Sequence, residues 1–237
     1  MKEYIEPAFQ IIFGDALTGF EPLIYKNKQS LLLQNPFTQL KCKNNIRDLL
    51  FLHQIHSTEG VTISLENELL SFPAFFYSGD FLVTNLNLVG IAVATADCLP
   101  IILYCSKKNV IGIVHAGWRG SVNGVAKAAL NVMKNSFGIH EEEIRVFFGP
   151  SAKSCCYQVG AEVINKIPKE FKKDVLSGAD NRFLDLPYLN QLLLEKIGIA
   201  SQAFNYNYND CTICNLHYHS YRREKTANRH MTIAFLR

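Results

Sequence analysis

Several things are scarce in this 237-residue chain, and each scarcity excludes a class. Lys and Arg never run beyond short local groups and the formal net charge is only +3, so neither a nucleic-acid face nor a membrane-surface patch is indicated. The most basic cluster, Tyr221-Arg222-Arg223-Glu224-Lys225, is local. The seven cysteines are an odd set without framework spacing in a chain long enough to need no staples. That usage favours a reducing compartment and free or metal-binding thiols, and the expected location is the cytoplasm. Met1 to Gly14 holds Lys2, Glu3 and Glu6 before a brief AFQIIF, too acidic and too short for a secretory signal. Leu86 to Cys105 is nearly free of charge, but Asp97 and Pro100 sit at its centre and its β-branched content favours two strands divided by a turn over a membrane span. No internal repeat, low-complexity tract or Pro/Gly/Ser linker is visible, so residues 1–237 are expected to form one domain.

What is present is a globular composition, 48% hydrophobic and 19% charged, organised around one stretch, IAVATADCLPIILYCSKKNVIGIVHAGWRG from Ile91 to Gly120. Ile91 to Ala96, Ile101 to Tyr104 and Val110 to Val114 are short apolar runs of the kind that form buried strands. Asp97 and Cys98 close the first run and His115 closes the third, with Trp118 and Arg119 leading into a helix. Polar groups at buried strand ends cost free energy unless paired or ligated, so a site is expected here.

In chain order, QIIFG predicts a first strand and NKQSLLLQNPFTQL mixed strand and turn, while NNIRDLLFLHQ, Asn44 to Gln54, carries apolar residues at helical spacing. VTISL and the FLVT that follows Gly79-Asp80 predict strands. Val122, Val125, Ala129, Val132 and Met133 fall on one face of a helix from Ser121 to Phe137, with Gly138 as its stop and Arg119 at its start. Ile144 to Phe148 predicts a strand, followed by a short helix from Ala161. A further helix is capped by Asp185, with Pro187 in its first turn and Gly198 at its end, and MTIAFL is the last strand. The alternation of strands and helices predicts an α/β fold, mixed sheets flanked by helices in a layered α/β sandwich.

His56, Cys98 and His115 come from separate segments, and two imidazoles with one thiolate form a borderline-soft set that suits zinc with an open fourth position. On composition alone a cysteine in an apolar run is more often a small core hydrophobe, and a histidine a satisfied polar group. His53 competes with His56, since three residues separate them on a helix face, and spacing does not decide between the two. Cys211-x-x-Cys214-x-x-His217-x-His219 resembles a metal knuckle, but its members are compressed and lack a second half at finger spacing. Cys155 and Cys156 are poor disulfide partners for each other. The Cys211, Cys214, His217 and His219 group and the Cys155–Cys156 pair read as structural or supporting residues.

ADCLPIIL, HAGWRG, GPSAKSCCYQVG and the terminal CT…YHSYRR…NR resemble the laccase-domain purine nucleoside phosphorylase family, also known as multicopper polyphenol oxidase and including a peptidoglycan editing factor. The resemblance runs from about His56 to the C-terminus. It implies a metal held by His56, Cys98 and His115, selecting His56 of QIHS over His53, with zinc as the expected ion and copper as the other. It also implies phosphorolysis of adenosine, inosine and methylthioadenosine, with adenosine deamination as a side activity. Purine nucleosides and inorganic phosphate are then the partners, and monomer or homodimer the assembly. Cleaving an N-glycosidic bond builds positive charge on the ribose, so phosphate must be held close. Cys98, His115, Asp97 and Arg119 are the catalytic candidates; Arg119, Asp80, Arg222, Arg223 and Tyr157 are the substrate-binding candidates. Arg119 at a helix start can bind an oxyanion, Arg222 or Arg223 can add a bidentate contact, and Asp80 and Asp97 can orient ligands or carry protons. Departures from the family pattern are Gln158 where a carboxylate stands in YEVG, Tyr218-His219 in place of an aromatic pair, Asn228 in TANR, and an N-terminal third without the family's Asn-Arg element. A copper phenol oxidase and a cysteine hydrolase acting on peptidoglycan precursors, with Cys98 as nucleophile and His115 as base, are the alternatives.

Overall fold

The computed structural model describes residues 1–18, 35–65 and 77–237. Strands β1 (Lys2–Ile5), β2 (Phe9–Phe13), β3 (Asp48–Leu50), β4 (Gly60–Ile63), β5 (Phe81–Thr84), β6 (Val89–Thr95), β7 (Leu99–Cys105), β8 (Val110–Ala116), β9 (Ile144–Phe148), β10 (Leu176–Ser177), β11 (Phe183–Leu184), β12 (Phe204–Asn205) and β13 (His230–Leu236) alternate with helices. The main helices are α1 (Asn35–Asn44), α2 (Trp118–Asn123), α3 (Val125–Phe137), α4 (Ala161–Ile164), α5 (Lys172–Val175), α6 (Leu186–Glu195) and α7 (Tyr221–Glu224). One sheet has the order β1-β2-β13-β6-β3 and the other β12-β9-β7-β8-β5-β4, with β10 and β11 as a separate hairpin. Both large sheets are mixed: β3 runs parallel to β6, β4 to β5 and β12 to β9, and the remaining pairs are antiparallel. This is the expected α/β sandwich.

Alternation along the strands builds the layers. On β7, Leu99, Ile101, Leu103 and Cys105 face a core shared with α3 and α6, while Ile102 and Tyr104 face the other sheet. On β6, Val89, Ile91 and Val93 meet them from the opposite side, and Ala92 and Ala94 point to a third core that takes Leu40 of α1. The order is therefore α1, five-stranded sheet, six-stranded sheet, helices. Strands in the middle layers are buried on both faces, which is why LPIILYC reads as a continuous apolar run.

QIIFG forms the second strand and not the first, because Lys2–Ile5 pairs with it as β1, and two further expectations fail for identifiable reasons. Asn44 to Gln54 is not a helix: it leaves the end of α1 and becomes β3. Leu50 and Leu52 enter the core between the sheets, whereas Leu49 and Phe51 enter the outer one, so its apolar residues follow a two-residue period serving two cores. The helix expected over Ser121 to Phe137 is two helices, because Gly124 takes a left-handed φ of 86° that ends α2 and starts α3. Of NKQSLLLQNPFTQL, residues 27–34 lie outside the described residues and the rest opens α1. The loop expected after VTISL also lies largely outside the described residues. Asp185 caps α6 as expected, accepting from the Tyr188 N–H at 3.0 Å. Among the described residues no helix is long and apolar enough to cross a membrane.

The last strand, β13, runs through the middle of the five-stranded sheet and carries a buried titratable group. His230 is fully buried with its Nε2 3.1 Å from Thr95 Oγ1. Burial, reinforced by the nearby His219, lowers its pKa from 6.5 to about 3. The unfolded chain therefore takes up a proton below about pH 6.5 that the native state refuses, and stability must fall as pH drops through that window. Between neutral pH and pH 5 the loss from this one group is about 2 kcal/mol at ~1.4 kcal/mol per pH unit. Urea midpoints should show this acid sensitivity in the native sequence and a shallower pH slope in His230→Gln; equal slopes would acquit His230.

Candidate metal centre and active site

Four adjacent strand ends bring the site together. The starts of β4, β5 and β7 and the end of β8 lie side by side, with Gly60 opposite Phe81, Phe81 opposite Val114 and Pro100 opposite His115. The segments that reach this edge from β3 and β6 both cross from the five-stranded to the six-stranded sheet. His56 lies on the first crossing and Cys98 on the second, so sheet-to-sheet connections deliver two of the three donors to the end of β8, where His115 waits.

The three donor atoms lie within 4.8 Å of one another. Cys98 Sγ is 3.9 Å from His56 Nε2, and the two imidazoles meet edge to face with centroids 4.9 Å apart. His56 has a left-handed φ of 58° and Asp97 one of 92°, uncommon values for residues with side chains. Such strain is retained where the surroundings determine it, and here the surroundings are visible. Gln54 fixes the first crossing by pairing with β6 as a strand would, its amide donating to Ala94 O at 2.9 Å and its carbonyl accepting from Ala94 N at 2.8 Å. His53 is instead tied by its backbone to Tyr77 and Gly79 and stands outside the donor group.

Asp80 is the anchor beneath. It is buried, accepts from His115 Nδ1 at 2.8 Å, from His56 N at 3.0 Å and from Ser57 Oγ at 2.8 Å. Burial alone would raise its pKa, but the His115 and Ser57 contacts bring it down to about 2. The carboxylate thus fixes the His115 tautomer with Nδ1–H toward Asp80 and Nε2 toward the donor group. The Asp80 side chain is engaged by protein donors and holds His115 and the His56–Ser57 turn in place. Cys98 and His115 face each other: burial opposes charge on both, yet the imidazoles pull the thiol below its usual value, and Cys98 and Asp80 push His115 above its own.

Two imidazoles and a polarised thiol suit a tetrahedral borderline-soft ion, for which donor separations of roughly 3.5 Å are expected, so the cluster needs only slight contraction. Gly117 supports this fit. A Cβ there would lie 2.9 Å from Cys98 Sγ and 3.1 Å from His56 Cδ2, although its backbone, with φ of −71°, would accept a side chain. Gly117 is held in turn by a buried chain in which Asn190 Nδ2 donates to Ser121 Oγ at 2.9 Å and Ser121 Oγ donates to Gly117 O at 3.0 Å.

The other candidates divide. Asp97 is buried and engaged, accepting from Thr212 Oγ1 at 2.7 Å and from Arg222 N at 2.6 Å, so it ties the C-terminal segment to the Cys98 turn. Arg119 is exposed, stacks 4.4 Å over the Trp118 ring and is paired with no carboxylate among the described residues. Its helix spans only Trp118–Asn123, so any anion it holds depends on the guanidinium more than on a helix end. Arg222 lies 5.0 Å over Tyr157 and gives one terminal nitrogen to Gln158 O at 2.6 Å. Tyr157 is buried, and burial together with the Cys98 and Asp97 charges raises its pKa. Arg223 points its guanidinium at the carbonyls of Thr212, Ile213 and Tyr218 at 2.7 to 2.8 Å and at Glu224, bracing the C-terminal segment. Gln54, Gly117, Thr212 and Asn190 escaped the sequence reading. Gln54, Gly117 and Thr212 carried a signal, as members of QIHS, HAGWRG and the terminal CT, and Asn190 carried none.

Residues 30–237 match the family described as multi-copper polyphenol oxidoreductase laccase. A purine nucleoside phosphorylase of Clostridium acetobutylicum is 31% identical over 236 residues, covering 96% of this chain and 92% of that protein. An adenosine deaminase from an unknown prokaryotic organism is 35% identical over 128 residues, 53% of this chain and 48% of its own length. Among solved structures, the hypothetical protein YfiH of Bacillus licheniformis superposes with a TM-score of 0.77 at 26% identity, covering 86% of this chain and 80% of its own.

The crowding at Gly117 makes a direct test of the cradle. Gly117→Ala should leave folding nearly intact yet push Cys98 or His56 aside, lowering zinc affinity in a chelator competition by on the order of tenfold or more. Affinity equal to that of the parent chain would mean that the three donors do not close on one ion.

Proposed function

The chain belongs to the multi-copper polyphenol oxidoreductase laccase family, and on that premise we propose that it is a zinc-dependent purine nucleoside phosphorylase. It converts adenosine, inosine or methylthioadenosine and phosphate to free base and ribose 1-phosphate, and deaminates adenosine as a side reaction. The observation that carries this reading is the convergence of His56, Cys98 and His115 at one rim, with Arg119, which no carboxylate pairs among the described residues, four positions after His115. The Clostridium relative supports the phosphorolysis and the prokaryotic deaminase the side reaction.

In this reading His56, Cys98 and His115 hold zinc, which supplies Lewis-acid polarisation of a substrate or water oxygen. Asp80 keeps His115 Nε2 aimed inward and its loop partner His56 in register. Arg119 binds the phosphate oxyanion with a charge-assisted contact, and Arg222, stacked on Tyr157 and tied through its backbone to Asp97 beside Cys98, supplies a second cation. Asp97 holds Arg222 in place by accepting its backbone N–H, so it acts as a positioning residue. Phosphate held near the anomeric carbon replaces the departing base as charge builds on the ribose.

Two other readings meet specific obstacles. Electron transfer from phenols to oxygen by several coppers needs many more histidines than the two at this site, and the other ligand cluster among the described residues is all cysteine. A cysteine hydrolase needs one imidazole beside Cys98, and His56 would have no task.

Phosphate dependence tests the reaction. Adenosine should give adenine and ribose 1-phosphate only when inorganic phosphate is supplied, whereas inosine should still form in phosphate-free buffer, because deamination uses water. Arg119→Ala should reduce phosphorolysis by roughly 10- to 100-fold, corresponding to about 1.5 to 3 kcal/mol for a charged hydrogen bond, and deamination less. Adenine released without phosphate would sink the assignment. Cys98→Ala, His56→Ala and His115→Ala should each lower bound zinc, and His53→Ala should not.

A further inference from the structure

A second cluster of metal-binding side chains stands apart from the first. Cys155, Cys156, Cys211 and Cys214 bring four Sγ atoms within 4.8 Å of one another, with Cys155 and Cys214 3.9 Å apart. A tetrahedral ion with metal–sulfur bonds near 2.3 Å needs sulfurs about 3.8 Å apart, so this spacing is close to that of an assembled four-thiolate site. His217 and His219, which share the knuckle-like spacing in the sequence, are not members of the group.

The placement comes from backbone pairing and not from a flexible surface. The two turns that carry the cysteines are laced by Ser151 N donating to Asp210 O and Thr212 N to Ser151 O, both at 3.0 Å. Asn209 Nδ2 reaches Ser151 Oγ at 3.1 Å, and Lys153 Nζ reaches Asn209 O at 3.1 Å. Each turn is closed locally, by Cys156 N to Lys153 O and by Asn215 N to Cys211 O. The cysteines are thus pre-positioned, which lowers the ordering entropy an ion must overcome. Cys211 is buried, and Cys155 and Cys214 are exposed, so the cluster has an inner donor and an open side for entry.

We propose that Cys155, Cys156, Cys211 and Cys214 form a second, structural site for a soft divalent ion of the zinc class, stapling the turn after β9 to the turn after β12. The ion enters from solvent and the thiols release their protons to water, with no change of oxidation state. Local electrostatics agree. Burial works against charge on Cys211, but the backbone N–H groups of Cys214 and Lys153 hold its thiol below the usual value, while Cys155 and Cys214 are raised by burial and by their neighbouring sulfurs. The site has consequences for its surroundings, because the stapled turns present Thr212 to Asp97 and lead into Tyr157. This proposal is independent of the assignment of the reaction.

Cobalt(II) titration of the full-length, reduced, metal-stripped protein tests it, since four-thiolate cobalt has an intense charge-transfer and visible spectrum that a one-thiolate site lacks. The expected result is two equivalents bound by the parent chain. Cys98→Ala should keep one equivalent with the full four-thiolate spectrum, and Cys155→Ser combined with Cys214→Ser should keep one equivalent without it. Both serine positions are exposed, and the Cys98→Ala arm leaves the cluster untouched, so the outcome does not depend on how the serine variant folds. Loss of all cobalt binding in Cys98→Ala would overturn the proposal. So would a Cys155–Cys214 disulfide in freshly reduced protein re-exposed to air, with one equivalent in place of two when cobalt is supplied first.

Discussion

A buried carboxylate cannot stand alone in a protein interior, and at this rim Asp80 sets the terms for everything around it. Its side chain gathers His115 from the end of β8 and the backbone and hydroxyl of the His56–Ser57 turn. Its own backbone extends the sheet, with Asp80 N donating to Glu59 O and His115 N donating to Asp80 O, both at 2.7 Å. One residue therefore fixes register, tautomer and loop conformation together, and the left-handed His56 is tolerable because the Asp80 contacts over-determine it.

The layered architecture explains why such a residue sits there. With two sheets face to face, every connection from one to the other must cross an edge, and the crossings after β3 and β6 use the same edge. The helical layer then seals the far side: Asn190 of α6 reaches Ser121, and Ser121 holds Gly117 against Cys98 and His56. The C-terminal segment closes the third side before β13 returns to the middle of the five-stranded sheet, with Thr212 and Arg222 on Asp97. The donor group is thus bounded by the sheet edge, by the helices and by a C-terminal strap.

Much of this was legible in the sequence, and the failures share a cause. Runs such as LPIILYC and VIGIVHA declare buried strands because both faces are apolar, and the polar residues at their ends mark the site. Asn44 to Gln54 misled because a strand feeding two cores can imitate helical spacing over a few turns. Arg222 and Arg223 are adjacent in the sequence and equivalent in composition, yet one stacks on Tyr157 and the other braces carbonyls. The four-cysteine cluster was hidden for a related reason: its halves are separated by α4, α5 and α6, so local spacing pointed to His217 and His219 instead. Long-range convergence is the information that periodicity and motif spacing do not contain.

The Cys98–His115 pair poses a sharper question of chemistry. Mutual attraction favours a thiolate beside an imidazolium when no cation is present, which is also the preparation of a cysteine nucleophile. A metal ion at the same point competes with the proton on His115 Nε2, because that nitrogen must be neutral to ligate, while Asp80 continues to hold Nδ1–H. The two states differ by one proton and one cation on an unchanged scaffold. What separates them structurally is His56: a Cys–His dyad gains nothing from a second imidazole 3.9 Å from the sulfur, whereas a three-donor metal site requires it. The strain at His56 and the bare Cα of Gly117 both serve that third donor, and under a cysteine-nucleophile reading both would be without purpose.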